Sequence, residues 1–242
     1  FTLLGIVTNI INIRVFYHQG VTSDSTTVAF VALSVSDLLG CIFMIPQPLC
    51  FYFEAHLKSD DIFFRNCYTL TLMPSTYPHL ILHKITCFVT VYMSVERAIC
   101  VIFPFKVRRI IKVKSTIFIM ITIYVLIIVS YAPYAANVSI SWMADPARNE
   151  SLKAVNVITP LGIIFTTTNS LFHSLILTTS AMIVVFVTTV AMVTRLKASM
   201  KWREMASTTT GSSGQKYTRV ARNVESVKIV TAITSVYLVC LL

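Results

Sequence analysis

Apolar residues run along this chain in long unbroken blocks, at about 1–17, 27–53, 78–103, 115–136, 161–194 and from 223 to the end, with polar stretches between them. A helix rises 1.5 Å per residue, so roughly 20 apolar residues cross a hydrocarbon layer about 30 Å thick. Six membrane-spanning helices are therefore predicted. Barrel strands would alternate apolar and polar residues, whereas these blocks are continuously apolar, and helices satisfy every backbone group within the segment. The expected fold class is all-α, a polytopic membrane helix bundle forming one domain over 1–242. Phe1 already lies inside an apolar run and Leu242 inside another, so a piece truncated at both ends of a longer protein is expected. No basic stretch precedes the first run and no small-residue cleavage site follows it, so no cleavable signal is predicted.

Composition agrees with the pattern. Of 242 residues, 55% are hydrophobic and only 12% charged, with a mean hydropathy of +0.75, far outside the range of soluble domains. The formal charge of +10 raises the question of nucleic acid, but the cations are sorted by loop. Lys106, Arg108, Arg109, Lys112 and Lys114 share one connection without an acid, and Arg195, Lys197, Lys201, Arg203, Lys216, Arg219 and Arg222 share another with Glu204. The connections at 54–69 and 137–160 carry no such excess. By the positive-inside rule the basic connections are cytoplasmic and the N-terminus is extracellular. The sequons Asn137-Val-Ser and Asn149-Glu-Ser both fall in a connection assigned to the outside, which makes them glycosylation candidates. The basic loops suit anionic lipid and a cytoplasmic protein partner, with no call for nucleic acid. Within one of them, 206–214 reads "ASTTTGSSG", a hydroxyl-rich flexible linker or kinase target.

Polar residues inside the spans carry the candidate chemistry. His79, His83, Thr86, Thr90, Met93 and Arg97 recur at spacings of four and three, which puts them on one helical stripe roughly 27 Å long. Asp37 sits near the middle of the second block and Asn9 in the first, where an ionisable or amide group is expensive and calls for a function or an interhelical hydrogen bond. Glu96 and Arg97 stand together near the end of the third block. A charge pair there serves as an interfacial anchor or as a two-state element, closed on itself or opened toward a partner, which a distant ligand can bias.

These residues resemble the rhodopsin-like family of G-protein-coupled receptors. Glu96, Arg97, Val101 and Pro104 match the end of that family's third helix; "LSVSDLL" at 33–39 matches the second-helix motif around its buried Asp, here Asp37; Asn9 matches the first-helix Asn and Pro133 the fourth-helix Pro. The resemblance covers essentially the whole chain, and "HKITCFVTVYMSVERAICVIFPFKVRRII" and "RLKASMKWR" look like divergent invertebrate peptide or chemosensory receptors. Departures exist. Ala98 replaces an aromatic, Tyr124 stands where the fourth-helix Trp is usual, and no Tyr or Pro occurs in 161–194. The seventh helix of the family is missing. The resemblance implies a multi-pass plasma-membrane glycoprotein that senses an extracellular peptide or small molecule and activates heterotrimeric G proteins, with Glu96, Arg97 and Pro104 in the coupling switch. It implies ligand contact by His79, His83, Asn169 and His173, and a sodium-type polar site at Asp37 and Thr86. Cys67 resembles the outer third-helix Cys whose family partner lies in the second extracellular loop, but 137–160 has no Cys; Cys50 is the candidate nearby, with a partner elsewhere or a free thiol as alternatives.

Catalysis is not expected. There is no nucleophile elbow or phosphate-cradling Gly loop, and five histidines are too few for a membrane di-iron site, so neither cofactor nor metal is called for. The rival class is a secondary transporter or channel subunit using Asp37 and Asn9 as an ion path, which predicts inverted repeats or matching broken helices.

Overall fold

The computed structural model describes residues 1–56, 62–103, 111–144 and 152–208. Pro104, Asn149 and the expected span from 223 lie outside the described residues. Helices dominate: α1 (Thr2–Gln19), α2 (Ser25–Met44), α3 (Pro46–His56), α4 (Ile62–Thr71), a π-helical turn at Leu72–Thr76, α5 (Tyr77–Ile102), α6 (Val113–Ala136), α7 (Pro160–Asn169), a π-helical stretch at Ser170–Leu177 and α8 (Thr178–Thr208).

Four helical stretches are long and apolar enough to cross a bilayer: Ser25–His56, Asn66–Ile102, Val113–Pro133 and Pro160–Ser199. The chain is a polytopic helical membrane protein. Each of the four overlaps a predicted span. The predicted first span forms a helix, α1, but is not among the four, because Asn9, Asn12, Arg14 and the Tyr-His-Gln end dilute its 18 residues. It packs along α2, where Phe16 stacks on Phe30 with ring centroids 5.3 Å apart.

The helix starts follow ordinary capping chemistry. Asp24 accepts a hydrogen bond from the Thr27 amide at 2.6 Å to open α2. Thr159 accepts one from Gly162 at 3.0 Å to open α7, with Pro160 in the first turn where its missing N–H costs nothing.

The purely helical expectation needs one correction. The connection after α6 holds an antiparallel hairpin, β1 (Val138–Ala144) and β2 (Leu152–Ile158), pairing Val138 with Ile158 through Ala144 with Leu152. The sequence signal is the period-two alternation of Val138-Ser139-Ile140-Ser141-Trp142, which the dominant apolar blocks overshadow.

The chain divides into two compact units. The first is Phe1–Val89 with Val113–Leu177, and contains α1 to α4, the upper part of α5, α6, the hairpin, α7 and the π-helical stretch. Its buried residues include Val28, Ala29, Leu33, Ile85, Val89, Met120 and Ile127. The second is Thr90–Lys112 with Thr178–Leu242. There the Thr188 hydroxyl of α8 donates to Ser94 of α5 at 3.2 Å, and Ala98, Ala181 and Val185 are buried.

Candidate functional site

The polar face of the first unit is a ladder between α2 and the segment running from the π-helical turn into α5. Its lower rung is a three-residue cluster: the Thr86 hydroxyl donates to the Asp37 carboxylate at 2.6 Å and lies 3.0 Å from the Ser36 hydroxyl. One helical turn further along α2 the carbonyl of Gly40 meets Nδ1 of His79 at 3.0 Å. Beyond it the Ser75 hydroxyl donates to the carbonyl of Phe43, and Thr76 donates to the Gln47 side chain at 2.9 Å. Positions 75, 79 and 86 thus meet 43, 40 and 37 of α2 in antiparallel order, and Thr76 reaches Gln47 at the start of α3. Where no water competes, such bonds hold helices together without a hydrophobic driving force. The α6 residue Tyr124 joins from a third side, its hydroxyl donating to the carbonyl of Ala32 at 2.8 Å.

The expected stripe is therefore polar for an evident reason in its N-terminal half. His79 and Thr86 are interhelical links. His83 is exposed, and its ring lies 6.4 Å from that of His79, nearly parallel to it. Asn9 bonds within its own helix, to the carbonyl of Gly5 at 2.9 Å, and makes no hydrogen bond to Asp37. In the second unit Glu96 is 4% exposed while the adjacent Arg97 is exposed, so the helix turns the acid inward and the guanidinium outward.

Asn169 and His173 come together elsewhere. They line a cavity of about 190 Å³ with Ser130 and Pro133 of α6 and with Phe165, Thr168 and Phe172; His79 and His83 are not part of its lining. His173 is buried against Tyr131, ring centroids 4.8 Å apart, and edge-on to Phe172 at 5.4 Å.

At the hairpin end, Cys50 and Cys67 form a disulfide that ties α3 to α4, with Cα atoms 5.0 Å apart. The neighbouring Asn66 does a job that sequence reading missed. Its side-chain oxygen accepts from the Ala154 amide of β2 at 2.8 Å while its nitrogen donates to Ile62 at 2.9 Å, and both Asn66 and Ala154 are buried. Asn137 closes the hairpin base. Its amide donates to Pro133 at 2.7 Å, its side-chain oxygen accepts from Thr159 at 2.9 Å, and its carbonyl accepts from the Thr159 amide at 3.1 Å. The nitrogen that would carry a glycan is thus engaged with the end of α6, while the oxygens of Asn137 join it to the start of α7.

Sequence reading also passed over Lys84, which is 8% exposed inside a membrane span. The signal was available, since an ammonium within an apolar run is as costly as Asp37. Among the described residues no group of three His, Cys, Asp or Glu side chains is placed to hold a metal ion.

No known protein family matches the sequence, and no curated protein is similar to it. The functional reading therefore rests on residues and geometry.

Proposed function

We propose that this chain is part of a rhodopsin-like G-protein-coupled receptor, a seven-helix bundle to which α1 and the four long spans contribute. The observation that carries the reading is the meeting of Asp37, Thr86 and Tyr124 with α2 at one level of the bundle. Asp37 lies in the second-helix motif, Thr86 is on the helix that ends in Glu96-Arg97, and Tyr124 stands at the fourth-helix Trp position. Three resemblances drawn from separate stretches of sequence thus concern residues that pack around the same helix.

In this reading the work is conformational. An extracellular ligand, a peptide or a small molecule, favours one arrangement of the bundle, and that arrangement frees Arg97 to meet a heterotrimeric G protein beside the basic loops. The exposed Arg97 beside a buried Glu96 supports a guanidinium available to a partner. The protein sits in the plasma membrane with its N-terminus and its hairpin outside and its basic connections inside.

The test is guanine-nucleotide exchange by the full-length protein, reconstituted with a panel of G-protein α subunits and challenged with peptide and small-molecule pools. Stimulated exchange is expected, falling about tenfold or more in Arg97→Gln at equal surface expression. Stimulated exchange unchanged by Arg97→Gln would remove that residue's role, and cation or substrate flux without exchange would replace the receptor with a transporter.

A further inference from the structure

The hairpin has two edges, and the fold closes only one of them. The Thr159 amide donates to the Asn137 carbonyl at 3.1 Å, which makes that pair a hydrogen-bonded one; counting onward by twos, so are Ser139 with Val157 and Ser141 with Val155. The residues between them turn their N–H and C=O groups away from the partner strand, Ile140 and Trp142 outward from β1, Asn156 and Ala154 outward from β2. On the β2 side that edge is covered. The Ala154 amide reaches Asn66 at 2.8 Å, β2 packs against α4, and residues 154–157 are buried or half-buried.

The β1 side is open. Ser139, Ile140, Trp142 and Met143 are exposed, and among the described residues no hydrogen bond reaches the Ile140 or Trp142 amide. The strand, Val-Ser-Ile-Ser-Trp-Met-Ala, carries no proline, glycine or charge, the devices that keep a standing edge from pairing. Ile140 and Trp142, 38% and 47% exposed, project on one face beside that edge. Hydrocarbon cannot satisfy its bare N–H and C=O groups, whereas water or another strand can. An edge of this length offers a face roughly 23 Å long and 10 Å deep, about 230 Å², well short of the ~800 Å² per partner that a stable contact between folded proteins buries. It suits a short chain in extended form.

We propose that β1 binds an extended peptide as a third strand of this sheet. The backbone groups of Ile140 and Trp142 each donate and accept one hydrogen bond, and apolar side chains at every second peptide position lie against the Ile140 side chain and the Trp142 ring. A third strand also stabilises what is otherwise a two-stranded sheet. Because the hairpin is fixed to α4 through Asn66 and to α6 and α7 through Asn137, the added strand stiffens both attachments. This deepens the receptor reading by choosing a peptide over a small molecule, and it rests on that reading for the hairpin's extracellular position. Binding is measured without nucleotide exchange, so the two fail separately.

The probe is a displayed library of heptapeptides in which Val, Ile, Phe or Tyr alternates with Thr, Ser or Lys, selected on the full-length protein in lipid nanodiscs beside a matched library with proline at alternate positions. The first library is expected to enrich over the second. The selected peptide should slow hydrogen exchange at the Ile140 and Trp142 amides and leave Ser139 and Ser141, already paired with β2, unchanged. N-methylation along that peptide should weaken binding about tenfold at alternate positions only. Ile140→Pro removes a donor that the ladder does not use and should weaken binding about tenfold or more, with retained protection of the Ala154 amide reporting an intact hairpin; Ile140→Val should bind as the unaltered protein does. Equal enrichment of the two libraries, N-methylation losses without a period of two, or undiminished binding to Ile140→Pro overturns strand addition. Disulfide-linked dimers of Ile140→Cys under mild oxidation would place a second copy of the chain on this edge and overturn the peptide.

Discussion

Asn66 shows what one side chain does when a covalent link is placed elsewhere. Cys67 spends its sulfur on Cys50, so the hairpin, which has no cysteine of its own, is held to α4 by the hydrogen bond from Ala154 to Asn66. Both partners are buried, and a lost acceptor leaves an amide dry and unsatisfied. Asn66→Ala is expected to cost about 1–3 kcal/mol and to accelerate hydrogen exchange at the Ala154 amide more than at Val138 or Ile158, which the hairpin's base retains. Exchange mass spectrometry on the purified protein reads both sites, and equal protection of Ala154 in the variant would show that the strand is held by packing alone. The Thr86 hydroxyl offers a parallel case one level deeper. Thr86→Val keeps the shape and removes the donor at 2.6 Å from Asp37, so a comparable loss of thermal stability is expected, and Asp37→Asn in the same background should recover part of it because a neutral amide is less costly to leave unpaired.

Between elements, the decisive contacts lie where helices must come close. Gly162 opens α7 directly over the end of α6, and a Cβ there would stand 3.0 Å from both Cβ and the carbonyl oxygen of Asn137 and 2.8 Å from Ile158. Backbone cannot step aside as a side-chain tip can. Gly162→Ala is expected to destabilise by about 1–3 kcal/mol and to be strongly non-additive with Thr159→Val, since both act on the Asn137 clamp. A double-mutant cycle of melting temperatures in detergent checks this, and simple additivity would dissolve the clamp as a unit. How far these elements could be read from sequence depended on which periodicity was strongest. Continuous apolar runs give α2, α5, α6 and α7 with α8 directly, whereas Asp37 and Thr86 were brought together only by the family resemblance, as a sodium-type site. Glycine at 162, the hairpin and the Asn66 latch were not legible, because each is defined by a partner elsewhere in the chain, Ile158 for Val138 at the hairpin's base and Ala154, 88 residues away, for Asn66, and leaves only a weak local pattern. Lys84 is different: its cost in lipid was evident, but the His pair beside it drew the chemical reading.

For the molecule as a whole, the exposed surface is that of a protein whose solvent is lipid. Ile121, Leu126 and Val129 of α6 and Ile183, Phe186 and Val187 of α8 are all more than half exposed, an arrangement water would not tolerate over such an area. The proposed orientation, with the basic connections in the cytoplasm, rests on charge, and α6 is the element on which to test it. At 24 residues it spans about 36 Å, so its flanks lie on opposite sides of the hydrocarbon. Exposed Lys112 and Lys114 precede it, while the hairpin with Ile140 follows it. Moving the basic flank outward would place the Lys106–Lys114 cations against the positive-inside rule and the hairpin sequons in the cytoplasm, where neither can be used. Cysteines introduced singly at Lys112 and Ile140 separate the two arrangements. A membrane-impermeant maleimide applied to intact cells should label Ile140→Cys, and should reach Lys112→Cys only after permeabilisation. The opposite result would put Arg97, which precedes Lys112 on the chain with no span between them, on the extracellular side and remove its access to any G protein.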